Sequence, residues 1–142
     1  MGWLEKKLIG VLVVVDLNFK KIKELFDGGK YSEVISILQN IDGDSTNCLD
    51  EMYFMYFSYA RLSRFDIALK GFRKLLQLGY NGYDSYYSYF IYNIGLCYYK
   101  TLQFRKAYLF FKYALACCNR LEFIPRTLQT EEIIFHKSSN HN

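Results

Sequence analysis

Proline is nearly absent from this chain: Pro125 is the only one in 142 residues. No proline therefore stands in the way of a helix before that point. Histidine is almost as scarce, with His136 and His141 both near the C-terminal end. The four cysteines, Cys48, Cys97, Cys117 and Cys118, make no C-x-x-C pair and no disulfide-like framework. Neighbouring Cys117 and Cys118 point in different directions on a helix, so a shared metal site is not expected. Reduced thiols are expected instead, and with them a cytoplasmic location. Gly28-Gly29 is followed by no Lys-Ser/Thr and preceded by no strand, which excludes a phosphate loop. Neither a nucleophile elbow nor an H-E-x-x-H helix occurs. These absences predict a chain that is not an enzyme and holds no metal or cofactor.

A membrane-spanning run is missing as well. Lys6-Lys7 leads into Leu8–Val15 like the start of a signal peptide, but no A-x-A-like cleavage site follows. Eight apolar residues fall far short of the ~20 that a bilayer span needs. Lys6 also occupies the place where a myristoylation motif wants Ser or Thr. Segment 1–14 is read as an apolar N-terminal piece packed on the rest, with pairing to another subunit or docking on a membrane surface as the functional alternative. Left exposed, its β-branched run would invite aggregation.

What the chain does contain is aromatic side chains, 14 tyrosines and 12 phenylalanines, in a sequence that is 51% hydrophobic and 23% charged. That balance describes one folded domain, large enough to bury a core without staples. Eight of the tyrosines fall between Tyr80 and Tyr99, and seven of positions 80–92 are aromatic. That is too many for one buried helix face, so some rings should face outward. Aromatics favour strands by propensity, yet the spacing argues for helices.

The spacing is clearest in Ile91-x-x-Ile94-Gly95-x-x-Tyr98 followed by Ala107-x-x-x-Phe111-x-x-Ala114. Small Gly95, Ala107 and Ala114 let two helices approach, and the larger residues fill between them. Phe65-Asp-Ile-Ala68-Leu-Lys-Gly-Phe72 copies Phe104-Arg-Lys-Ala107-Tyr-Leu-Phe-Phe111, and Tyr31, Val34 and Leu38 repeat the pattern again. Between Ala68 and Ala107 the copy is displaced by five extra residues, placed in the Gly-rich stretch Leu78–Asp84. Asp16, Asn47 and Ser63 are expected to cap helices, and Pro125 to stop or kink one.

This pattern resembles the tetratricopeptide repeat, W-x2-L-G-x2-Y then A-x3-F then P, with Asn119 where the closing proline would fall. The resemblance implies an all-α fold: a right-handed solenoid of antiparallel helix pairs spanning 15–124. The pairs are expected at about 15–46, 49–80 and 88–120. Residues 125–142 should supply a capping helix, centred on Thr127–His136, and a frayed tail.

In that family the first helices of successive pairs line a concave groove that holds a protein segment. The resemblance places Phe19, Lys23 and Phe26 there from the first pair. Asp50, Tyr53, Phe57 and Arg61 come from the second, and Tyr89, Tyr92, Leu96, Tyr99 and Lys100 from the third. Tyr92 and Tyr99 are the leading candidates. The family's clamp for a terminal carboxylate is mostly missing, since Phe19, Lys23, Phe54, Tyr89 and Asn93 occupy those positions. The implied role is a scaffold, adaptor or chaperone-like module taking a peptide with apolar anchors. Two alternatives remain open at this stage. The basic second pair (Arg61, Arg64, Lys70, Arg73, Lys74) and the net charge of +4 would suit RNA. The N-terminal apolar run would suit a self-associating subunit. Membrane binding is not expected.

Overall fold

The computed structural model describes residue 2, residues 19–39 and residues 48–139. Asp16, the Leu8–Val15 run, Asn47 with its linker, and His141 lie outside the described residues. Helix α1 is described over residues 19–27. It is followed by α2 (Tyr31–Leu38), α3 (Leu49–Arg61), α4 (Phe65–Gln77), α5 (Tyr87–Lys100), α6 (Phe104–Cys117) and α7 (Ile124–Ser139). Short 3-10 turns at Tyr83–Ser85 and Leu121–Phe123 introduce α5 and α7. No strand occurs among the described residues. Met52–Tyr59, where propensity and spacing disagree, lies wholly inside α3. Each helix from α2 onward packs on its successor, most extensively α5 on α6.

The helix pairs turn in the same way three times. Gly29, Ser63 and Leu102 each adopt the left-handed conformation, with φ of 76°, 62° and 64°. In each turn that residue's amide donates to the carbonyl three back, and the next amide to the carbonyl five back. The two bonds are 3.0 and 2.8 Å at Gly29, 3.0 and 2.8 Å at Ser63, and 3.1 and 2.9 Å at Leu102. This doubly bonded helix ending satisfies carbonyls that the helix itself leaves open. Ser63 thus closes α3 and does not cap α4, because its amide is already committed and no side-chain cap bond precedes Phe65. Five residues after each turn stand Val34, Ala68 and Ala107, and nine after stand Leu38, Phe72 and Phe111, all buried.

The five surplus residues lie where expected. Gly79 and Gly82 have positive φ, and Asp84 joins them at 53°. A Cβ on Gly82 would meet the Tyr86 carbonyl oxygen at 2.6 Å, so only glycine fits there. Pro125 departs from expectation. It neither stops nor kinks a helix but sits in the first turn of α7, where its missing N–H leaves no bond unmade. Buried Thr127 and Thr130 donate to the carbonyls of Phe123 and Arg126, each at 2.6 Å. The first bond holds the start of α7 against the preceding turn, and the second lies within α7.

Candidate functional site

Counted from each left-handed turn residue, the expected groove positions coincide. Ten residues before it are Phe19, Tyr53 and Tyr92, six before it Lys23, Phe57 and Leu96, and two before it Asp27, Arg61 and Lys100. Position −6 lines a cleft of about 410 Å³ between α1, α3 and α5. A second cleft of about 370 Å³ continues past the ends of α3 and α5. Phe57, Arg61, Asn93 and Leu96 border both, so the two clefts form one trough. Lys23, Tyr53, Tyr89 and Tyr92 line the first cleft, and Lys100 the second.

The remaining expected residues are used for packing. Phe19 packs edge-on against Phe54 at 5.8 Å, and Phe26 lies 4.9 Å from Phe57 and 5.1 Å from Phe54. Both rings join α1 to α3 beneath the trough. Asp50 is held by the hydroxyl of buried Tyr80, which donates to it at 2.7 Å. Tyr53 is only 5% exposed and accepts a bond from the Asn93 amide at 2.7 Å, tying α3 to α5 across the floor. The two leading candidates are also partly covered. Tyr92 stacks on Phe123 at 4.4 Å and touches Phe111 at 5.1 Å, while Tyr99 meets Phe104 at 5.3 Å and lies under Arg126. Neither ring stands free, so neither is a clean probe of binding.

Spacing within the pairs missed one wall altogether. Tyr83 and Tyr86 come from the inter-pair loop, and Glu122 and Phe123 from the turn before α7. Phe123 is fully buried and packs across α5 between Tyr89 and Tyr92. Glu122 accepts the Tyr89 hydroxyl, and the Arg120 guanidinium lies 4.8 Å from the Tyr89 ring centre. The C-terminal segment therefore completes one side of the trough. The density of aromatics at 80–92 was the available signal for the loop, whereas nothing in the repeat spacing pointed to Phe123.

Electrostatically the trough is neutral rings with charged edges. Burial raises the Tyr53 phenol well above the ordinary phenol range and the Cys97 thiol to about 12. Burial also raises Tyr92, although Arg126 opposes the shift. All three stay protonated near neutral pH. Lys23 is paired with Asp27 at 2.8 Å, so the charge facing the cleft comes from Arg61, Lys100, Arg126 and Glu122. No cluster of three metal-ligating side chains occurs among the described residues. No described helix is long and apolar enough to cross a membrane. No protein-family model, curated protein or solved structure matches the chain.

Proposed function

We propose that this chain is a protein-interaction module, a right-handed solenoid of three tetratricopeptide-like pairs that holds a protein segment in its aromatic trough. It acts as a scaffold or adaptor in the cytoplasm and does no chemistry of its own. The observation carrying this reading is the continuity of the two clefts through Phe57, Asn93 and Leu96. They offer apolar contact beside an amide that can read a peptide backbone. Tyrosines add area at low rotamer cost and a hydroxyl for hydrogen bonding. The recurrent turn and the buried residues five and nine positions beyond it support the repeat assignment.

Leu96→Glu is the direct test, because Leu96 borders both clefts and glutamate keeps helix propensity. Affinity capture from native lysate should recover a discrete protein with or without nuclease. The variant should lose it while its circular dichroism stays unchanged. Capture that persists in the variant removes the trough from the binding surface. Material dominated by RNA, and lost with nuclease, moves binding to the exposed Lys70 and Arg73 on α4.

A further inference from the structure

The two halves of the trough differ in charge. The first cleft contains both signs, with Lys23 facing Asp27 and with Glu122 on the opposite wall. The second has Arg61, Lys100 and Arg126 along its border and no carboxylate among the described residues that line it. Three cations gathered around a 370 Å³ cleft repel one another unless something negative sits among them.

Two of the three have a bland explanation. Arg61 and Lys100 end α3 and α5, where a cation favours the C-terminal end of the helix dipole. Arg126 has no such reason. It stands in the first turn of α7, where the dipole disfavours a positive charge. Its guanidinium is held over the Tyr99 ring at 4.6 Å, donates to Gln129 at 3.3 Å and also bonds the Tyr92 hydroxyl, which leaves its remaining N–H groups for a ligand. Arg61 is held likewise over Phe57 at 5.2 Å. A guanidinium stacked on a ring keeps its N–H edge available and loses little rotamer freedom on binding. Two such groups facing one cleft are suited to a carboxylate, which takes parallel N–H bonds.

Resting on the trough reading, we propose that the ligand segment carries an acidic side chain, aspartate or glutamate, a few residues from its apolar anchor. The anchor occupies the cleft between α1, α3 and α5. The carboxylate lies among Arg61, Lys100 and Arg126. Phe57 and Leu96, shared by both clefts, hold the segment's backbone between the two subsites.

A displayed random-peptide library tests this with the full chain as bait. Wild-type protein should enrich peptides that combine an aromatic or aliphatic anchor with Asp or Glu. A selected peptide, resynthesised with an amidated C-terminus, should bind at least about tenfold more weakly to Arg61→Glu/Lys100→Glu, the loss of one charge-assisted contact. Both positions are exposed, so the charge reversal is compatible with folding. The milder Arg61→Gln/Lys100→Gln should give a smaller loss of the same sign. Enrichment of apolar peptides without acidic residues, or binding unchanged by charge reversal, overturns this inference and leaves the trough reading standing. Failure to enrich any peptide above the Leu96→Glu bait overturns both.

Discussion

The second and third helix pairs each set one glycine against one aromatic ring, but from opposite helices. Seven residues before the turn, α5 has Gly95 where α3 has Tyr56. Eight residues after it, α4 has Gly71 where α6 has Phe110, whereas the ring that meets Gly95 is Phe111, one position further on. A Cβ on Gly95 would fall 2.6 Å from the Phe111 ring, and one on Gly71 would fall 2.2 Å from the Tyr56 ring. Each pair thus places one glycine against one ring, but on opposite helices. The close approach belongs to the pair, and which helix supplies the gap is free to vary. This explains why a glycine-based signature is plain in the third pair and blurred in the second.

Each close approach can be broken at its glycine. Alanine in place of glycine inside a helix gains up to ~1 kcal/mol of propensity. Overpacking at these distances costs roughly 1–3 kcal/mol, sometimes more, and should win. Gly95→Ala is expected to be the worse change, because Phe111 is fully buried and the Ala107 carbonyl oxygen lies 3.3 Å from the added carbon. Gly71→Ala meets the half-buried Tyr56. In a Tyr56→Ala background its cost should shrink or vanish, while that of Gly95→Ala should not change. Urea unfolding of the three single and two double variants measures both couplings. Equal penalties for Gly71→Ala with and without the Tyr56 ring would show that this glycine–ring contact is not what accommodates α3 against α4.

Alkaline pH sharpens the comparison from another side. Burial raises Tyr53 of the second pair, as well as Tyr80 after α4, whose hydroxyl is also bonded to Asp50. In the third pair burial raises Cys97 to about 12, and burial with a bond to Tyr113 raises Tyr87 to about 12. An acid held protonated by folding binds more protons in the native than in the unfolded state. Its stabilisation is complete below the unfolded value and is lost as pH climbs from there toward the folded one. The melting temperature should therefore hold up to about pH 8.5, then fall from the thiol range through the phenol range near 10. Tyr80→Phe should flatten the decline above pH 10 and lower stability at pH 7, since Asp50 loses its donor. An unaltered alkaline slope in that variant would remove Tyr80 from the account.

Much of this was legible in the sequence, and what was not has identifiable causes. The helical class, the pairing and the five-residue surplus followed from Val34, Ala68 and Ala107, whose burial is set by local spacing. The Ser63 cap was misread because side-chain chemistry suggests a cap there, while in the fold its backbone geometry decides. Pro125 was misread for a related reason: proline breaks a helix interior and starts a helix equally well, and only context separates the two. For the trough, Lys23, Phe57, Arg61, Leu96 and Lys100 came from the resemblance to the tetratricopeptide repeat. The wall built by Glu122 and Phe123 did not, since it depends on where the chain crosses after α6, a non-local fact with no period.

The left-handed turns give the smallest expected effect and the finest comparison. A non-glycine residue there costs ~1 kcal/mol relative to glycine, because its Cβ crowds the following carbonyl. The first turn has Gly29, whereas the second and third have Ser63 and Leu102. Leu102 is 74% exposed, so little packing is lost on its removal. Leu102→Gly should therefore stabilise the protein by about 0.5–1 kcal/mol, less the greater freedom glycine gives the unfolded chain. Gly29→Ala should destabilise by a similar amount, as no heavy atom stands near its added carbon and only φ opposes it. If Leu102→Gly instead destabilises the protein, the exposed leucine has a contact worth more than its strain.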